Sequence, residues 1–97
     1  MEIRHRDDDE YRKWVASIDR KAFGKIARRL GLLTQLGRDL GMPNVRRIDA
    51  DISELRSGIY RMYFVVGSDD IATFVAYGNK DTQDRDIDRA QRRAKEL

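Results

Sequence analysis

The chain has no cysteine. That absence removes disulfides, thiolate metal sites and cysteine nucleophiles together, and it suits a reducing cytoplasm. No apolar stretch approaches the roughly 20 residues needed to cross a bilayer, and the opening MEIRHRDDDE has no hydrophobic signal core. A cytoplasmic protein with no membrane partner is expected. Histidine occurs once, at His5, and proline once, at Pro43. The glycines never form a phosphate-cradling loop, and the acids lack the spacing of a calcium or zinc site. Neither a metal nor a cofactor is expected. No repeat, linker or low-complexity segment interrupts the 97 residues, which read as a single domain, 1–97.

What the chain does have is charge. Charged residues make up 38% of it and hydrophobic ones 40%, enough for a modest core, with a net charge of +3. So small a surplus says little about a polyanionic partner; its distribution says more. Acids crowd into Asp7, Asp8, Asp9 and Glu10, whereas RKAFGKIARRL, residues 20–30, carries five basic residues and no acid. Such separation builds either a solvated helix side or a basic interface.

Apolar spacing sets the elements. Tyr11, Trp14, Val15 and Ile18 recur at helical intervals behind the acids, which suit a helix N-terminus. Asp19 can cap a second helix with the stripe Phe23, Ile26, Ala27, Leu30 and Leu33, ended by Gly37 and by Gly41-Met42-Pro43. With almost no linker between them, the two helices should form a hairpin. From Ile52 the period becomes two. ISELR is a short strand turned by Ser57-Gly58, IYRMYFVV is the strongest strand, and IATFVAY returns after GSDD. From Thr82 a last helix follows, with Ile87, Ala90, Ala94 and Leu97 as a thin docking stripe and Arg85, Arg89, Arg92 and Arg93 on a solvated face. The predicted class is α+β: a helical hairpin on a small twisted antiparallel sheet of three to four strands, plus a C-terminal helix.

Tyr60, Met62, Phe64 and Val66 give the central strand one apolar face, which should meet the helices. Trp14 and the strand aromatics read as core. The opposite face holds Ile59, Arg61, Tyr63 and Val65, with a permanent charge among apolar neighbours. Arg61 therefore needs a carboxylate, from Glu54 or the last helix, or it lines an open surface that receives an anion. If Ser68-Asp69 is a two-residue turn, Arg61 faces Ala76, and residues 76, 78 and 80 share its side. Lys80 then stands with Arg61 as a second cation at the rim of an anion site; a one-residue slip would put Tyr77 there instead.

Read together, SELR, YRMYFVV and YGNKDTQDRDIDRAQRRAKEL, in the order helix, helix, strands, helix, resemble the phage-derived addiction-module killer proteins. These are HigB-type members of the RelE/ParE toxin superfamily. The resemblance runs from about Tyr11 to Leu97 and implies a toxin encoded beside a helix-turn-helix antitoxin, cleaving mRNA on the ribosome. It places Arg61 against the scissile phosphate and Lys80 where such toxins carry another basic residue. The lysines that RelE uses on the preceding strand have no match, since Ile52 and Glu54 stand there. Its C-terminal tyrosine is replaced by Asp86 and Asp88, and His5 does not match the histidines of some HigB toxins. Arg46, Arg47, Arg56 and the helix face of Lys21, Lys25, Arg28 and Arg29 are expected to meet RNA or the ribosome.

The chemistry needs little from the protein. The RNA's own 2′-hydroxyl can attack the adjacent phosphorus while positioned Arg and Lys neutralise the phosphoryl oxygens. Tyr77, Asp81, Asp86 or a perturbed Lys80 are the candidate proton acceptors. His5 is expected at the surface, unless the first residues pair at the sheet edge. Two other outcomes stay open: a gyrase poison of the ParE branch, and a non-toxic member that only binds its antitoxin or nucleic acid.

Overall fold

Asp7 starts the first helix, its side chain accepting from the backbone N–H groups of Asp9 and Glu10. The computed structural model describes all residues, Met1–Leu97. Helix α1 runs Asp8–Ala16, and Asp19 caps α2, Arg20–Leu36, by accepting from the Ala22 N–H. Gly37 ends α2 with a positive φ of 56°, a conformation that costs glycine nothing. Four of the five strands are β1 (Glu2–His5), β2 (Val45–Arg47), β3 (Ser53–Ser57) and β4 (Tyr60–Val66). The fifth is β5 (Ile71–Asn79), which leads through a 3₁₀ turn, Lys80–Thr82, into α3, Gln83–Ala94. No helix is long and apolar enough to cross a membrane.

The α+β class holds, with a larger sheet than the three to four antiparallel strands expected. Its order is β1-β5-β4-β3-β2, and β1 lies parallel to β5. EIRH is too short and too charged to carry a strand signature; it forms because the β5 edge offers unpaired backbone groups. Helices α1 and α2 are joined by a short link, but they pack chiefly on the sheet, α1 on β5 and α2 on β3 and β1.

Tyr60, Met62, Phe64 and Val66 do face these helices, in a core with Ile26, Leu33, Leu55, Phe74 and Tyr77. The other face is not open. Helix α3 lies across β4 and β5 and closes a second core of Ile52, Tyr63, Val75, Ala76 and Ala90. Leu97, expected in the docking stripe, is 60% exposed because α3 ends at Ala94.

The hairpin register differs from the expected one by one residue next to the turn and by two beyond a bulge. Val66 pairs with Ala72, so the turn is longer than Ser68-Asp69, and a bulge leaves Val75 as an extra residue between Phe74 and Ala76. Arg61 thus faces Gly78, and Ala76 faces Tyr63. Beyond the bulge the shift of two keeps Ala76 and Gly78 on the Arg61 side, whereas before it the shift of one turns Ala72 and Phe74 toward α1 and α2. The bulge also turns both Val75 and Ala76 toward α3. Beyond the reach of β1, the Val75 carbonyl accepts from Arg93 Nη1 at 2.7 Å. Arg93 also grips Glu10 at 2.7 and 2.9 Å, so it is no solvated side chain but a tie between α3 and α1.

Candidate functional site

Alternation along β3 puts Leu55 and Ser57 toward α2 and leaves Glu54 and Arg56 on the α3 side. Pairing then assembles a polar row, with Arg46 opposite Glu54, Glu54 opposite Tyr63, and Arg56 opposite Arg61. Glu54 is fully buried. Its Oε1 lies 3.6 Å from Arg56 Nε, 3.8 Å from Arg61 Nε and 4.0 Å from Arg46 Nε, while Oε2 accepts from Gln83 Nε2 at 2.7 Å. Like charges directly opposite on adjacent strands are destabilising unless something between them compensates. One carboxylate serves three guanidinium groups here, leaving a local surplus of two positive charges.

Arg61 is 6% exposed, and its Nη1 donates to the carbonyls of Gly58 at 2.7 Å and Tyr60 at 3.0 Å. Those bonds fix the guanidinium at the turn between β3 and β4. The buried atoms Glu54 Oε1, Arg61 Nε, Tyr63 Oη and Asp86 Oδ1 have no hydrogen-bond partner. Burial, then the neighbouring Glu54 carboxylate, push the Tyr63 phenol well above its ordinary range, so it keeps its proton. Arg46 and Arg56, with side chains 47% and 33% exposed, carry the row to the surface.

The end of β5 frames this row. Gly78 is required: a Cβ there would fall inside the Asp86 carboxylate, with Asp86 Cγ and Thr82 Oγ1 each at 2.7 Å. Asp86 is buried, and its Oδ2 accepts from the Thr82 hydroxyl at 2.5 Å. Asn79 and Thr82 cap the 3₁₀ turn reciprocally. Lys80 and Asp81 are exposed on that turn, and the Lys80 N–H donates to the Ile59 carbonyl at 2.8 Å, tying it to the β3–β4 turn. A shallow polar depression of about 490 Å³ runs along Lys80, Asp81 and the start of α3.

The predicted residues therefore divide. Arg46, Arg56 and Arg61 come together, and Lys80 and Asp81 sit on the turn bonded to the same hairpin. Arg61 lies under α3 and beside Glu54 rather than on an open surface. Asp86 packs on Gly78 and anchors α3. Tyr77 belongs to the opposite face, where its hydroxyl meets His5 Nδ1 at 2.6 Å and burial pushes its phenol far up. Arg47 turns to the α2 side and donates to the carbonyls of Asp49 and Ala50. Lys21 and Lys25 flank the β3–β4 turn from the α2 side, and Arg28 and Arg29 lie further along that helix.

His5 is half-buried rather than free at the surface. Its ring stacks on Tyr11 at 3.8 Å, and burial lowers its pKa against the pull of Asp8. Two structural partners were missed in the sequence, Gln83 on Glu54 and Gln91 on Asp49 at 2.9 Å. Only the helical spacing of these glutamines could have hinted that they share a side of α3.

A family model described as "Phage derived protein Gp49-like (DUF891)" matches residues 13–95. That family is associated with RelE/HigB-like toxins of toxin–antitoxin systems, which points to an antitoxin as partner. No curated protein matches the chain.

Proposed function

The chain belongs to the phage-derived Gp49-like family, and from that premise we propose that it is a HigB-type toxin of a type II toxin–antitoxin system, cutting mRNA on the ribosome. The observation that carries this reading is the surplus of positive charge on the α3 side of the sheet. Arg46, Arg56 and Arg61 share one buried carboxylate beside the exposed Lys80. A phosphodiester supplies the missing negative charge, and bidentate guanidinium groups suit its oxygens. In this reading the cognate antitoxin is a helix-turn-helix protein, and the toxin acts in the cytoplasm on translating ribosomes.

Arg56 and Lys80 contact the scissile phosphate, and Arg61, held rigid by two carbonyls, supports the developing charge from beneath. The substrate's 2′-hydroxyl attacks the adjacent phosphorus, and the bond to the 5′-oxygen breaks. The products are a 2′,3′-cyclic phosphate and a 5′-hydroxyl. Asp81 is the exposed carboxylate next to Lys80, and we assign it the proton of the attacking hydroxyl. A proton returns from water to the leaving oxygen.

Induced expression of the chain alone tests the toxin assignment. It should arrest bacterial growth, and Arg61→Ala or the pair Arg56→Gln with Lys80→Gln should relieve the arrest in protein that remains folded by circular dichroism. Full toxicity in all of these folded variants would remove the cationic row from the mechanism.

A further inference from the structure

The turn that holds Arg61 has a second side. Gly58, with a φ of 58°, and Ile59 connect β3 to β4 in a two-residue hairpin of the II′ kind. On the α3 side, the Gly58 carbonyl is bonded to Arg61 and the Ile59 carbonyl to the Lys80 N–H. On the α2 side, the same turn walls a cavity of about 250 Å³ with Lys21, Lys25 and Ser57. This cavity opens at the N-terminal end of a 17-residue helix, where the helix dipole favours an anion.

Ser57 is the feature that sets this helix end apart. It is 7% exposed and lines the cavity, and its hydroxyl, unlike the buried atoms without partners named above, is reachable from the cavity. A hydroxyl that makes no bond within the chain and reaches a cavity takes its partner there from water or a ligand. Asp19 also borders the cavity, but its carboxylate is occupied in capping Ala22, and two lysines outweigh its charge. Ile59, 47% exposed at the hairpin apex, adds an apolar shelf between the two sides.

We infer that this cavity is a second phosphate subsite, in which Lys21, Lys25 and the Ser57 hydroxyl hold a neighbouring phosphodiester of the same single-stranded RNA. The strand would cross the hairpin apex at Gly58-Ile59, with its scissile phosphate at Arg56 and Lys80. This assignment rests on the RNA-cleaving reading. It adds to that reading the direction in which the RNA runs and a hydroxyl contact outside the reacting centre.

Binding of a short single-stranded RNA, blocked by 2′-deoxy sugars and followed by fluorescence anisotropy across a salt series, tests it. Lys21→Gln with Lys25→Gln should flatten the log–log salt slope by about 0.7, the value for one phosphate contact on a single strand. Ser57→Ala, which removes no charge, should weaken binding roughly tenfold at unchanged slope. Arg12→Gln with Lys13→Gln on α1 is the charge-matched control and should change the slope less. Inorganic phosphate alone should shift the Ser57 amide resonance in wild type and not in Ser57→Ala.

If the Lys21/Lys25 and Ser57 variants bind RNA like wild type while Arg56→Gln with Lys80→Gln weakens binding, the second subsite is wrong and the RNA reading stands. The subsite is equally wrong if those variants lose only a protein partner, or if inorganic phosphate binds while RNA affinity ignores Ser57. If wild type does not bind RNA at all, the second subsite is wrong, and cutting of mRNA on paused ribosomes decides the RNA-cleaving reading separately.

Discussion

Replacing Gly78 by alanine tests how closely α3 is seated over the arginine row. The added methyl would enter the space of the Asp86 carboxylate, and Asp86 Cγ and Thr82 Oγ1 would each lie 2.7 Å away. Asp86 is fully buried and bonded to Thr82, so making room for the methyl displaces it from that bond. Overpacking of this kind costs about 1–3 kcal/mol. If Asp86 swings aside, its lost hydrogen bond adds about 1.5–3 kcal/mol. Gly78→Ala should therefore destabilise the protein by about 3–5 kcal/mol, a large part of the roughly 5–15 kcal/mol typical of a domain.

At about 4–8 °C per kcal/mol for a chain of this size, even the lower bound lowers the melting temperature by roughly 12–24 °C. Urea unfolding followed by circular dichroism measures the change, with the slope of the transition checking two-state behaviour. Asp86→Ala in the same molecule removes the obstacle, so the double variant should be more stable than the two single losses predict, by about 1–3 kcal/mol. A Gly78→Ala protein within about 0.5 kcal/mol of wild type, the ordinary range for a surface change, would refute the seating of α3 on β5.

Glu54 is the sole carboxylate among three arginines, so Glu54→Ala should cost about 3–5 kcal/mol in urea unfolding, and pairing Glu54→Leu with Arg61→Met should recover most of it. Equal losses in the single and paired variants would show that the charges are not coupled. His5 gives a pH signature. Its folded pKa lies below the ordinary value of 6.5, so the unfolded chain binds the proton more readily. Stability should be full above about pH 6.5 and fall as the pH drops toward the folded pKa. His5→Gln, compared with wild type between about pH 5 and 7, should remove that slope; identical slopes would place His5 in water rather than against Tyr11, Tyr77 and Asp8.

The core side of this fold was legible because it follows local rules. A period of two from Tyr60 to Val66 fixed which face meets the helices, and Asp19 announced α2 through its cap. Glu54 was among the partners foreseen for Arg61, since both stand on one sheet face. The hidden features are long-range ones. Four residues of β1 pair only because β5 has a free edge, and this pairing carries His5 from the expected surface to Tyr77. The bulge at Val75 and the longer turn before Ile71 have no signature in composition, and their effects combined to keep Ala76 and Gly78 on the predicted Arg61 side. Helix α3 showed Ile87, Ala90 and Ala94 of its docking stripe but hid Asp86, a charged residue in a buried position above a glycine. For the same reason Arg93 looked like one more solvated cation, although it closes a carbonyl that only the bulge exposes.

The chemistry of the cut ends tests the central claim most directly. Purified protein added to ribosomes paused on a defined mRNA should cleave it, leaving a 2′,3′-cyclic phosphate or 3′-phosphate upstream and a 5′-hydroxyl downstream. Folded Lys80→Gln or Arg56→Gln protein should cut roughly 10²–10³ times more slowly, as expected for losing one contact to a charged transition state. A single 2′-deoxy sugar at the cut site should abolish the reaction. Fragments carrying 5′-phosphates, or cutting that survives the 2′-deoxy sugar, would contradict attack by the substrate's own hydroxyl. Intact mRNA, together with trapped gyrase–DNA complexes in arrested cells, would contradict RNA cleavage altogether.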